Sequence, residues 1–150
     1  MYKRQAAPDL GEMLASADAA LVIGDTALYV DHLAAGLIKT DLGAEWKALT
    51  GLPFVYAGWA GPEGAMTPDH VAALQAARTA GEADFPAIAR GFAPGDAARE
   101  ATALAYLRDN LRYGLGDAEL AGLRRFHELA AGLGLVPGVR PLRFFQADTR

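Results

Sequence analysis

The sequence predicts an α/β protein, a few strands followed by a helix-rich C-terminal half. Three observations point there. Residues 19–23 form a short apolar run without alternation, closed by Gly24-Asp25. A strand covered on both faces reads this way. Residues 53–60, Pro-Phe-Val-Tyr-Ala-Gly-Trp-Ala, are rich in aromatic and β-branched types, as strands are. From Thr67 onward, apolar residues recur at helical spacing instead.

Each element follows from local chemistry. Residues 9–17 predict one or two helical turns, with Met13 and Leu14 facing inward. In 41–51, Asp41 is an N-cap, and Leu42, Trp46 and Leu49 make one apolar face. Gly51 suits the left-handed position after the helix, and Pro53 blocks its continuation. In the predicted strand that follows, Phe54 and Tyr56 face one side and Val55, Ala57 and Trp59 the other. Gly58 marks a bulge or a close backbone approach.

Thr67-Pro68-Asp69 then combines an N-cap, a proline at the first helical position and an early acid. Val71 and Leu74 begin its apolar stripe, and Gly81 marks its end. A short helix is expected over 83–90. Asp96 caps the next, with Ala101, Leu104, Tyr106, Leu107 and Leu111 as its core residues. Asp117 caps the last, where Leu120, Leu123, Phe126, Leu129 and Leu133 recur and Gly132 or Gly134 ends it. Residues 139–150 read as a short extended piece and a frayed end.

Composition narrows the function. At 150 residues the chain has room for one core, and 52% hydrophobic with 21% charged residues argues against disorder. No apolar run approaches the ~20 residues that cross a bilayer. The start carries charge with no apolar stretch behind it, unlike a secretory signal, so the expected location is cytoplasmic. The formal net charge is −4 with no Lys/Arg stripe, which disfavours a nucleic-acid partner. Cysteine is absent, which excludes thiolate chemistry.

His32, His70 and His127 lack metal-ligand spacing. His70 and His127 read as solvated or packed helix residues; His32, after Asp31, falls in a loop where a site could use it. The candidate site is Gly24, Asp25 and Thr26. These residues follow a predicted strand end, where open sheets bind ligands. Gly24 would allow close approach, Asp25 could orient a ligand hydroxyl, and Thr26 offers its own. The plain alternative is a turn capped by Asp25. Trp59 is a second candidate, as an aromatic wall or as core.

Two strands without a hairpin signal do not make a sheet alone. Neighbours must come from another chain or from another part of the same domain.

Two phrases go further. Asp18-Ala-Ala-Leu-Val-Ile-Gly-Asp-Thr-Ala-Leu28 and Asp41-Leu-Gly-Ala-Glu-Trp-Lys-Ala-Leu-Thr-Gly-Leu-Pro-Phe-Val-Tyr-Ala57 resemble the menaquinone-biosynthesis enzymes of the futalosine route, closest to the chorismate dehydratase branch. The stretch from Tyr113 to Leu135 is similar to that family's C-terminal helix. The resemblance implies a two-lobed fold of the type 2 periplasmic-binding-protein kind. Residues 1–60 would then be part of the second lobe with a crossing strand, and 61–150 a helical region packed on the lobes. The first lobe would be missing from this chain. It also implies loss of water from chorismate, giving 3-[(1-carboxyvinyl)oxy]benzoate, with no cofactor, no metal and no membrane partner. A sister branch, the 1,4-dihydroxy-6-naphthoate synthases, has His-Glu-Gly-Gln where this chain has Gly24, Asp25, Thr26 and Ala27, so its chemistry is not expected. From other classes, a solute-binding module and a small helical interaction protein remain open.

Overall fold

Aspartate and threonine caps set where the helices begin. The computed structural model describes Ala7 and residues 9–145; the charged start and the predicted frayed end lie largely outside these residues. Asp9 accepts from the Glu12 N–H and opens α1, Leu10–Leu14. Helix α2 spans Asp25–Tyr29. Asp41 accepts from the N–H groups of Gly43 and Ala44 and opens α3, Leu42–Thr50. Gly51, at φ 72°, closes α3 in the left-handed region, as the sequence predicts.

Helix α4, Pro68–Ala83, starts with Pro68 behind the Thr67 cap. It runs two residues past Gly81, because an interior glycine costs only ~1 kcal/mol. Asp84 then caps α5, Phe85–Phe92, and Asp96 caps α6, Ala97–Ala105. A π-helical turn, Tyr106–Asn110, extends α6. The last helix, α7, spans Asp117–Gly132. Its cap is Gly116, one residue earlier than predicted, and the Glu119 carboxylate accepts the Gly116 N–H at 3.1 Å. Asp117 sits inside the first turn, where its charge favours the helix dipole. Gly134, at φ 69°, ends α7.

The α/β expectation is not met: the described residues contain helices and no strand. Residues 19–23 and 54–60 carry no regular secondary structure, and no main-chain hydrogen bond joins either to another described segment. A strand exists only through a neighbour's donors and acceptors, whereas a helix closes its own. The two-lobed binding-protein architecture therefore has no support in this structure. Leu21 and Ile23 are exposed rather than covered on both faces.

Packing is thin. Helix α6 lies against α5 and α2, and α5 against α4. Among the described residues, those buried are Ala89, Ala93, Ala103, Gly122 and Ala130, all small. The predicted core residues of α6 are displaced accordingly. Leu104, Leu107 and Leu111 are half-buried, Ala101 and Tyr106 exposed, and Ala103 takes the crossing with α5. An aromatic cluster joins α3, the 52–60 segment and α7. Trp46 meets Phe54 at 5.5 Å and Phe126 at 5.9 Å, and Phe54 meets Tyr56 at 4.9 Å. These edge-to-face contacts suit the ring quadrupoles. The opposite face of that segment stays open, with Trp59 81% exposed. Trp59 is thus not a core residue here.

Candidate functional site

The predicted site residues lie at the start of α2. Gly24 has φ 66° and ψ −145°, a conformation that side-chain-bearing residues rarely adopt. A Cβ added there would meet nothing within 4 Å. The glycine is needed for backbone conformation, and no atom of the described residues packs against it. Its carbonyl accepts the Leu28 N–H at 3.0 Å and so starts the helix. Asp25 is exposed in the first turn, and Thr26 is half-buried. Asp25 makes no side-chain cap, contrary to the plain-turn reading.

Thr26 and Tyr29 are three residues apart and share a helix face. Tyr29 stacks on Phe92 of α5, with centroids 6.4 Å apart and planes 18° apart. The Arg99 guanidinium of α6 lies over the same ring, 4.4 Å from its centroid. A groove of about 510 Å³ opens here, lined by Tyr29, Asp31, His32, Asp96, Arg99 and Thr102 among others. His32 thus joins this groove, while Tyr29 and Arg99 went unseen in the sequence. They lie 70 residues apart, and no motif marks either.

A second groove, of about 430 Å³, borders the π-turn and holds Phe85, Arg108, Arg112 and Tyr113. Phe85 and Tyr113 are 5.6 Å apart, and the Tyr113 hydroxyl donates to the Leu107 carbonyl at 3.2 Å. Arg108 is held by Asp109 in a two-point bond at 2.8 and 2.9 Å.

The remaining histidines are structural. His70 accepts the Thr67 N–H on Nδ1, while Thr67 accepts the His70 N–H, a reciprocal cap. His127 lies on α7 beside Phe126. Among the described residues, no group of His, Asp and Glu is placed to hold a metal ion.

Partial burial raises the phenol pKa of Tyr56, with Asp41 adding to it, and that of Tyr113, with Tyr106 and Glu82 adding. Both hydroxyls ionise more readily once the chain unfolds. The two tyrosines' contribution to stability is therefore full below pH 10.0, the ordinary value, and is lost as pH rises above it. Helical circular dichroism followed from pH 9 to 12 is expected to show that loss. The double substitution Tyr56→Phe, Tyr113→Phe should move it to higher pH.

A family model described as menaquinone biosynthesis matches residues 2–132. The match covers far more than half of the chain, from residue 2 to the end of α7. No solved structure matches the chain. The chain belongs to the menaquinone biosynthesis family. The match bears out the resemblance carried by the Asp18–Leu28 and Asp41–Ala57 phrases, and supports a chorismate dehydratase role in menaquinone biosynthesis.

Proposed function

We propose that the chain forms part of a hydro-lyase of the futalosine route, taking chorismate as its substrate. The observation that carries this reading is the family match over residues 2–132. The absence of the sister branch's histidine at Gly24 supports this branch over the other. The reaction removes one ring proton and the ring hydroxyl as water and leaves an aromatic ring. Aromatisation supplies the driving force. The protein must supply a base at the ring proton, donors for two carboxylates and a proton for the departing hydroxide.

Gly24, Asp25 and Thr26 are proposed as substrate-binding residues. The Thr26 hydroxyl and the Asp25 carboxylate suit a substrate hydroxyl, and the Gly24 turn presents both on the first turn of α2. Residues 1–60 are proposed as the part that receives a further polypeptide body, and 61–150 as its helical support. The exposed apolar surface supports that division. No helix among the described residues is long and apolar enough to cross a membrane, which agrees with a cytoplasmic location.

The test is incubation with chorismate, following the benzoate product by ultraviolet absorbance. The chain by itself is expected to give little turnover. The chain completed by the N-terminal half of a full-length family member is expected to give the product. A completed protein that leaves chorismate unchanged overturns the reading.

A further inference from the structure

We propose that Arg99, seated over the Tyr29 ring, binds one carboxylate of a small ring acid in the groove beside α2. This deepens the dehydratase reading, since chorismate carries such a group, and rests on it for the ligand's identity only.

Arg99 is one of five described arginines, with Arg90, Arg112, Arg124 and Arg140, that form no ion pair, and it alone lies over an aromatic ring. Arg78, Arg108, Arg125 and Arg143 each pair with a carboxylate. Arg99 lines a groove with two aspartates, yet forms no ion pair among the described residues. Its guanidinium lies over the Tyr29 ring instead, at 4.4 Å. The Tyr29 hydroxyl donates to the Arg99 carbonyl at 3.5 Å, and Phe92 stacks against Tyr29. The platform and the arginine are thus joined both through the ring and through the backbone. Stacking occupies the face of a guanidinium and leaves its N–H edge free. That edge is a planar fork matched to a carboxylate.

Both groove aspartates are already engaged. Asp96 accepts the main-chain N–H of Arg99 at 2.9 Å, and Asp31 accepts the main-chain N–H of Ala34 at 2.9 Å. Their charges oppose a second negative charge on the ligand at this point. The site therefore selects one carboxylate over a phosphate dianion. Leu28 and Val30 line the groove and offer apolar contact to a ring. Thr26 lies one turn before Tyr29 on α2, within about 5 Å along the helix axis. The groove lining itself begins at Leu28 and does not include Gly24, Asp25 or Thr26.

The probe is sodium benzoate, titrated against the full chain by saturation-transfer NMR. Wild type is expected to bind saturably in the millimolar range, with phosphate failing to displace the probe. Arg99→Gln should weaken binding about tenfold, the loss of one charge-assisted contact. Arg99→Lys should fall between, keeping the charge without the fork. Arg125→Gln, on α7 and paired with Glu128, should bind as wild type does. Equal binding by Arg99→Gln at unchanged helicity overturns the proposal, as does displacement by phosphate or a titration that never saturates. Benzoate binding needs no turnover, so the two readings fail separately. Arg99-dependent binding in a completed protein that does not dehydrate chorismate overturns only the reaction. Turnover with an unchanged KM in Arg99→Gln overturns only the site.

Discussion

The isolated chain is expected to bind an apolar reporter dye strongly at neutral pH, and to lose its helical signal over a broad denaturant range. The surface area gives the reason. A folded monomer of 15.7 kDa exposes about 7,300 Å² by the usual scaling. This chain exposes 11837 Å². The excess is more than twice the ~800 Å² per partner of a standard interface, and belongs to the scale of a domain core left open. Its composition agrees: Ile23, Ile38, Leu33 and Trp59 are each more than three-quarters exposed, and no large side chain among the described residues is fully buried. Exposed apolar side chains in this number suit a surface that a partner covers. Dye fluorescence at the level of a well-packed control protein, with one sharp unfolding transition, would contradict the account. A polypeptide that covers the face should abolish the dye signal.

The second large effect is expected at Gly122. On α7 this glycine faces the Pro53 carbonyl so closely that an added Cβ would overlap the oxygen. The same oxygen accepts the Trp46 indole N–H at 3.2 Å. Gly122→Ala gains ~1 kcal/mol of helix propensity but forces α7 off the 52–60 segment, which costs ~1–3 kcal/mol. Breaking the indole bond removes roughly a further 1 kcal/mol. The net effect is destabilising, and in a chain this thinly packed it should separate Trp46 and Phe126. The expected readout is loss of the near-ultraviolet signal of Trp46, with Gly122→Val more severe. Gly91→Ala, on α5 with nothing within 4 Å of the added atom, should instead be neutral or stabilising. Equal behaviour of the two alanine variants would show that α7 does not rest on Pro53.

The contrast between helices and predicted strands explains what was legible in the sequence. Asp41, Thr67-Pro68 and Asp96 open their helices because a cap acts within three residues of itself. Gly51 closes α3 for the same local reason. The segments 19–23 and 53–60 read as strands from residue type alone, but pairing depends on a partner that residue type does not supply. Periodicity placed Leu104, Leu107 and Leu111 on the inward face of the α6 region. It could not show that Ala103 would occupy the crossing, since that depends on how closely α5 approaches. The site divides likewise. Gly24, Asp25 and Thr26 stand out as a break after an apolar run, whereas Tyr29 and Arg99 meet only through the α2–α6 packing.

The family assignment and the open apolar surface together make one claim: this chain carries part of a chorismate dehydratase whose cleft is completed by further polypeptide. Chorismate turnover tests it most directly. The account predicts little carboxyvinyloxy-benzoate from the chain by itself, and steady production once the covering half is supplied. Turnover by the lone chain equal to that of a full-length family member would contradict it.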